Sequence, residues 1–278
     1  MVDQRGADTA IIKGAETIDL QEEGSHGVLL LHGFGDTPQT LSLLAARLSE
    51  AGYGVLAPLL PGHGRDMAAF RRARAEEWIA AAKSSLQQMR ERYAAVSVVG
   101  LSMGGALAVL IAADTAAIAS LVLISPYLGM PIQVRVAAAT CWLWGPIAGE
   151  INARNPRSIH DPIERARNLA YGAVTGRTLS ELAKVVRRSR KALPNVTAPT
   201  LVILSKEDPR VVPAVAEFAL RTLGARDKKL VWTEGAGHII TVDYGRERVF
   251  SEVEKWLRLH ESRSATAAER DRAAVERP

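Results

Sequence analysis

Six short apolar runs, separated by segments of helical periodicity, restrict this chain to one broad architecture. The runs span residues 27–31, 55–58, 96–100, 121–125, 201–205 and 229–233, and most are near-continuous Val, Leu and Ile. Uninterrupted apolar runs of this length suit strands of a parallel sheet covered on both faces. Between them, residues 39–51, 75–93, 103–114, 214–223 and 246–260 show the spacing of helices. Strand and helix alternate, so the expected fold class is α/β, a doubly wound, mostly parallel sheet.

The alternation lapses over residues 127–195, where the pattern gives helical stretches at 134–143, 161–172 and 178–193 and no clear strand. A helical insertion between two sheet strands reads as a small cap. The expected organisation is therefore a core over residues 1–126, a helical cap over 127–195, a second part of the core over 196–261, and a tail over 262–278. The tail is rich in Ala, Arg and Glu, with Val275 its one large apolar residue. That composition predicts disorder or a frayed helix extension.

At 278 residues the chain can bury a large core without disulfides or a structural metal. Its single cysteine, Cys141, excludes an internal disulfide framework. The first ten residues carry charges of both signs and no apolar stretch, so no secretory signal is read there. The run 134–144 contains Arg135 and is too short to span a bilayer. A cytoplasmic protein is expected. The formal charge of +5 comes from scattered residues and two basic stretches, 71–74 and 187–191. Both stretches are interleaved with apolar or small residues and read as solvated helix faces rather than a nucleic-acid surface.

The sharpest chemical signal is Gly100-Leu101-Ser102-Met103-Gly104, followed by Gly105, between an apolar run and a helix-forming run. In this context G-x-S-x-G is a strand-to-helix turn that presents a serine hydroxyl at a helix N-terminus. The flanking positions must lack bulk for the turn to close. A serine hydroxyl is a weak nucleophile and needs a base, which in turn needs an orienting acid. With such an elbow the chain order is serine, acid, histidine. Of the six histidines, His160, His238 and His260 follow Ser102. His160 falls in the cap and His260 on a polar helix. His238 ends the loop Glu234-Gly235-Ala236-Gly237-His238 after the last strand, where it can reach the elbow. The acid should follow the preceding strand, where Glu207 and Asp208 are the candidates. Asp208 is preferred because it opens a turn into the next helix, with Arg210 inside that turn.

An oxyanion needs two backbone donors. The residue after the nucleophile, Met103, supplies one. The loop Leu31-His32-Gly33-Phe34-Gly35 supplies the other from Phe34, whose ring could line an acyl pocket. His32, and His63 in Pro61-Gly62-His63-Gly64, are read as side chains that pack beneath their loops. Trp142, Leu143, Trp144 and Ile147 in the cap leave three readings open: cap core, an apolar pocket lid, or a membrane-docking face.

Taken together, the His32-Gly33-Phe34-Gly35 loop, Pro58-Leu59-Leu60-Pro61-Gly62-His63-Gly64, Trp78, the Ser102 elbow, Asp208 and Gly237-His238 resemble the carboxylesterase and monoacylglycerol lipase branch of the α/β hydrolases. The resemblance runs from about residue 24 to 259 and is loosest in the cap. It implies an α/β-hydrolase fold and an acyl-enzyme mechanism. It also implies a small helical cap, and esters of short to medium acyl chains or monoacylglycerols as substrates. It carries the nucleophile role to Ser102, the acid to Asp208, the base to His238 and the oxyanion donors to Phe34 and Met103. No metal or organic cofactor is implied. The expected partner is a small-molecule ester, with no nucleic acid, no stable membrane insertion, and a monomeric or homodimeric state. Thioester or C–C bond hydrolysis on the same residues is the alternative within enzymes. A ligand-binding homologue that has lost catalysis is the alternative outside them.

Overall fold

The computed structural model describes residues 10–115 and 118–275, with side chains to residue 261. The reading of the first residues as lacking a secretory signal therefore lies largely outside the described residues. In chain order the first half contains β1 (Ile18–Leu20), β2 (His26–Leu31), α1 (Ser42–Glu50), β3 (Gly54–Ala57), α2 (Met67–Arg72), α3 (Ala75–Arg92), β4 (Ala95–Leu101), α4 (Met103–Asp114) and β5 (Leu121–Ile124). Then come α5 (Ile132–Ala139), α6 (Cys141–Ala148), β6 (Ile151–Asn152), α7 (Pro162–Arg167), β7 (Ala173–Val174) and α8 (Gly176–Ala192). The chain closes with β8 (Thr200–Ser205), α9 (Pro213–Thr222), β9 (Lys228–Thr233) and α10 (Arg246–Val275).

Seven strands form one sheet in the order β1-β3-β2-β4-β5-β8-β9. All neighbours are parallel except β1, which runs antiparallel to β3. The six apolar runs are the six parallel strands. β1 escapes the sequence reading because three residues at a sheet edge, Ile-Asp-Leu, show one alternation and no run.

Both faces of the sheet are covered, which explains why the strand sequences lack a polar face. Leu29, Leu31, Val98, Leu123, Val202 and Leu204 join Trp78, Leu107 and Val185 in one core layer. The residues between them, Val28, Leu30, Val99, Leu101, Val122 and Ile203, join Leu44, Leu48, Val253 and Leu257 from α1 and α10 in the other. Successive side chains point to opposite faces of a strand, so one apolar run feeds both layers. Each fully buried leucine or valine contributes about 1.5–3 kcal/mol.

The stretch between β5 and β8 adds no strand to the main sheet, but it differs from the sequence reading in three ways. Residues 134–143 are not one helix, because the chain turns at Thr140 between α5 and α6. A strand-free insertion was expected, yet β6 and β7 pair antiparallel, Ile151 opposite Val174 and Asn152 opposite Ala173. The amphipathic helix α8 also buries Leu182, Val185 and Val186 in the main core layer. α10 runs on past the second part of the core to Val275. Residues 276–278 lie outside the described residues. Arg71, Arg72, Arg187 and Arg188 are exposed, as solvated helix faces should be. Among the described residues no helix is long and apolar enough to cross a membrane.

Candidate active site

The elbow is built where β4 ends and α4 begins. Ser102 has φ 55° and ψ −116°, a conformation that costs about 1–3 kcal/mol for a residue with a side chain. The surroundings hold it there. Ser102 N–H donates to Ile124 O at 3.0 Å, and Ser102 O accepts from Tyr127 N–H at 3.0 Å and Gly105 N–H at 3.0 Å. The glycines are needed for close approach. A Cβ on Gly104 would sit 1.9 Å from Leu31 O, and one on Gly100 would sit 2.3 Å from Gly104 O. Both obstacles are backbone and cannot swing aside. Gly104→Ala should therefore cost about 3 kcal/mol or more through forced backbone shifts. A urea unfolding midpoint equal to wild type would refute this account of the turn.

Two loops at the carboxyl end of the sheet bring the other candidates to Ser102. His238, from the loop after β9, has Nε2 2.8 Å from Ser102 Oγ. Its Nδ1 lies 2.8 Å from Asp208 Oδ2. The Asp208 side chain, from the turn after β8, is fully buried. Its second oxygen accepts Arg210 N–H at 2.7 Å and Val211 N–H at 3.0 Å. With the carboxylate accepting at Nδ1, His238 Nε2 is left to accept from the serine hydroxyl. Glu207, the other acid candidate, points elsewhere: it is exposed and accepts Gly235 N–H at 2.8 Å. His160 and His260 also lie apart from the serine. His160 Nδ1 is 3.2 Å from Gly235 O, and His260 Nε2 is 3.1 Å from Asp227.

The loop after β2 closes over the elbow, and a Cβ on Gly33 would lie 3.4 Å from Ser102 Cβ. Phe34 follows, with its ring against Phe70 and Trp78 at centroid distances of 5.0 Å and 6.0 Å. Met103 is the first residue of α4, and its side chain is buried in the core. Phe34 thus follows the glycine that approaches the serine, and Met103 follows the serine itself. First-turn N–H groups of a helix have no acceptor within the helix. His32 and His63 support these loops from below. His32 Nε2 accepts Leu60 N–H at 3.1 Å, which places its proton on Nδ1, 2.9 Å from Gly33 O. Burial lowers its pKa to about 4. His63 lies edge-on to His32, Phe70 and Trp78, and burial holds its pKa well below the usual histidine range.

Two charged residues escaped attention in the sequence. Asp36, in the loop after Gly35, is buried beside the serine; its oxygens accept Thr37 N–H at 2.8 Å and the Thr40 hydroxyl at 2.9 Å. Burial raises its pKa to about 6, opposed by those two bonds and by the nearness of His238. Asp243, fully buried five residues beyond His238, accepts four backbone N–H groups: His160, Asp161, Gly237 and Tyr244, at 2.7–2.9 Å. It ties the histidine loop to the stretch after residue 153. Arg210 makes a second tie, from Nε to Ser158 Oγ at 3.3 Å and from a terminal N–H to Ala153 O at 2.6 Å. Residue type alone did not mark Asp36 or Asp243, because their partners are backbone groups brought together by the fold. Asp243→Asn would turn an amide N–H₂ toward two N–H donors. It should cost about 3 kcal/mol, with a melting point several degrees lower. An unchanged melting point would show that these bonds contribute nothing net.

Ser102, His238 and Phe34 open on a cavity of about 650 Å³. Trp142, Leu143 and Ile147 do not line it. They are 71%, 56% and 89% exposed, so they are neither a pocket lid nor cap core. Trp144 instead lines a separate apolar groove with Ile132, Val136 and Ile151, its indole N–H donating to Ala137 O at 2.9 Å. The two short helices carry one charge, Arg135, and bury only Ala138, so their apolar side chains find no core to enter.

Comparison with known proteins places the chain among relatives of the same fold. Residues 23–244 match the family described as serine aminopeptidase, S33. The chain is 29% identical over 241 residues to a thermostable monoacylglycerol lipase of Bacillus sp. (strain H-257), covering 86% of this chain and 92% of that one. It is 24% identical over 240 residues to a carboxylesterase of Bacillus subtilis (strain 168), covering 84% and 93%. A solved structure from work on LipS and LipT, two metagenome-derived lipolytic enzymes, superposes with a TM-score of 0.83 at 29% identity, covering 90% of this chain and all of that one. The chain therefore belongs to the serine aminopeptidase S33 family and is a hydrolase of the monoacylglycerol lipase and carboxylesterase branch of the α/β hydrolases.

Proposed function

We propose that the protein hydrolyses carboxylic esters of short to medium acyl chains, monoacylglycerols among them, through an acyl-enzyme on Ser102. The observation that supports this most is the single imidazole of His238, 2.8 Å from both Ser102 Oγ and Asp208 Oδ2. His238 Nε2 takes the hydroxyl proton as Oγ attacks the ester carbonyl. Asp208 fixes the Nδ1–H tautomer and stabilises the imidazolium that forms. The N–H groups of Phe34 and Met103 stabilise the oxyanion. As the tetrahedral adduct collapses, the bond between the former carbonyl carbon and the alkoxy oxygen breaks, and His238 gives its proton to that oxygen as the alcohol departs. Water then attacks the acyl-serine by the same route, releasing the acid and restoring the hydroxyl. No step in this sequence calls for a cofactor.

Residues 127–195 act as the cap in this reading, with residues 153–174 and α8 roofing the cavity. The segment 153–161 is held to the acid turn and the histidine loop by Arg210 and Asp243. The reaction belongs in the cytoplasm, with the chain acting alone or as a homodimer. The test is hydrolysis of p-nitrophenyl esters from acetate to palmitate, with monoacylglycerols in parallel. An optimum at one chain length supports the reading and reports the depth of the acyl site. Turnover of thioesters alone would replace esters with thioesters as the substrate class.

A further inference from the structure

The cavity that holds Ser102 has two chemically different walls. One is apolar and includes Phe34, Tyr127, Val134, Leu179 and Leu182. The other comes from residues 153–168 and the acid turn, and brings three arginines, Arg154, Arg165 and Arg210, to the cavity together with Asn168. Charge on this second wall is unbalanced. The one carboxylate lining the cavity is Asp36, and both its oxygens already accept hydrogen bonds from Thr37 and Thr40. Among the described residues none of the three guanidinium groups forms an ion pair with a carboxylate. Their bonds go to neutral acceptors: Arg165 to the carbonyls of Pro156 at 3.3 Å and Ile159 at 3.1 Å, Arg210 to Ser158 Oγ and Ala153 O. Such bonds orient a guanidinium without neutralising it. The Arg154 side chain packs against Gly172, where a Cβ would meet it at 2.4 Å.

A wall that brings three guanidinium groups to a cavity, none of them paired with a carboxylate, is complementary to a ligand that brings several acceptor oxygens and negative charge.

The position of this wall says which part of an ester it would meet. It adjoins the histidine loop: Ile239 N–H donates to Ser158 O at 2.9 Å, and a Cβ on Gly237 would strike Arg157 O at 2.1 Å. His238 hands its proton to the departing alcohol, so the alcohol lies on this side and the acyl chain on the apolar side. We propose that the cationic wall of Arg154, Arg165 and Arg210 is a subsite for an anionic group, phosphate or carboxylate, on the alcohol portion of the substrate. The subsite stands on the geometry of the wall, while its assignment to the alcohol rests on the ester-hydrolase reading above.

The test is calorimetric titration of the Ser102→Ala protein, which binds without turnover. The ligands are 1-octanoylglycerol, 1-octanoylglycerol 3-phosphate and 3-octanoylglycerate. At least one anionic ligand should bind about tenfold or more tighter than the neutral one at low salt. That preference should shrink as salt rises and be lost in Arg154→Gln/Arg165→Gln, with Arg154→Lys retaining part of it. Which anion binds tighter separates a phosphate from a carboxylate subsite. Because Arg165 also braces two carbonyls, Arg154→Gln alone serves if the double variant fails to fold, and it too should narrow the preference. Equal or weaker binding of both anionic ligands, or a preference that survives these substitutions, overturns the proposal. Failure of the wild-type enzyme to hydrolyse p-nitrophenyl butyrate would instead overturn the ester-hydrolase reading and leave the binding result intact.

Discussion

Asp208→Asn is expected to lower kcat about ten-thousand-fold with little change in fold. The reason lies in the two faces of the carboxylate. Oδ1 accepts Arg210 N–H and Val211 N–H, while Oδ2 faces His238 Nδ1. In an asparagine the carbonyl oxygen must stay with the two backbone donors, because an N–H₂ there would oppose both. The amide N–H₂ then faces Nδ1 and must be accepted by it. The ring proton moves to Nε2 and points at Ser102 Oγ, so the base can no longer take the hydroxyl proton. The steric change is small and the cavity is untouched, so the loss should fall on kcat rather than KM. A drop of less than about tenfold would mean that Asp208 does not set the tautomer of His238.

Stability should fall by several kcal/mol as the pH is lowered from neutrality, driven by buried histidines that do no chemistry: His26, whose pKa burial lowers to about 4, and above all His32 and His63. His32 and His63 are fully buried and neutral, with pKa values lowered by burial, His32 to about 4 and His63 well below the usual range. In the unfolded chain both titrate near the ordinary value of 6.5. Below that pH the unfolded state binds protons that the native state refuses, so stability is full above it and drains away as the pH falls toward about 4. For His32 the loss amounts to about 3 kcal/mol. His63 adds to it, and the two rings, 5.0 Å apart, cannot both accept charge. Asp36 works in the opposite sense. Its folded pKa is raised to about 6, so its buried charge destabilises the native state above that pH, and protonation relieves this as the pH falls. Asp36→Asn should thus be more stable than wild type at pH 7.5 and should lose stability more steeply on acidification. Urea midpoints of both proteins from about pH 7.5 to pH 4.5 test this. A flat profile in wild type, or a shallower one in the variant, would contradict it.

The parallel strands and their helices were legible because burial on both faces writes the same apolar signature into each strand, as in Val98-Val99 and Leu201-Val202-Ile203. The elbow was legible because its glycines answer to backbone contacts within a few residues and to one neighbouring strand. The chain order of Asp208 and His238 followed from the strands before them. What stayed hidden depends on contacts distant in sequence. β1 is held by pairing with β3 rather than by its own pattern. Glu207 and Asp208 differ only in which one the turn points inward. Asp243 looks like any loop acid until residues 160, 161, 237 and 244 converge on it. The region of α5 and α6 misled for a different reason. Its apolar residues were weighed as core, lid or membrane-docking face, and the first two fail because an eight-residue helix with Pro146 inside it and a neighbour of equal length has too little partner surface to bury Trp142 and Ile147.

The most direct test of the account is labelling of the native protein with a fluorophosphonate, which forms a covalent bond only with an activated serine. The account predicts one adduct, located at Ser102 by peptide mass spectrometry. That adduct should be absent from Ser102→Ala, strongly slowed in Asp208→Asn, and accompanied by loss of p-nitrophenyl ester turnover. Labelling at a different serine, or ester turnover that persists in pure Ser102→Ala, would contradict it.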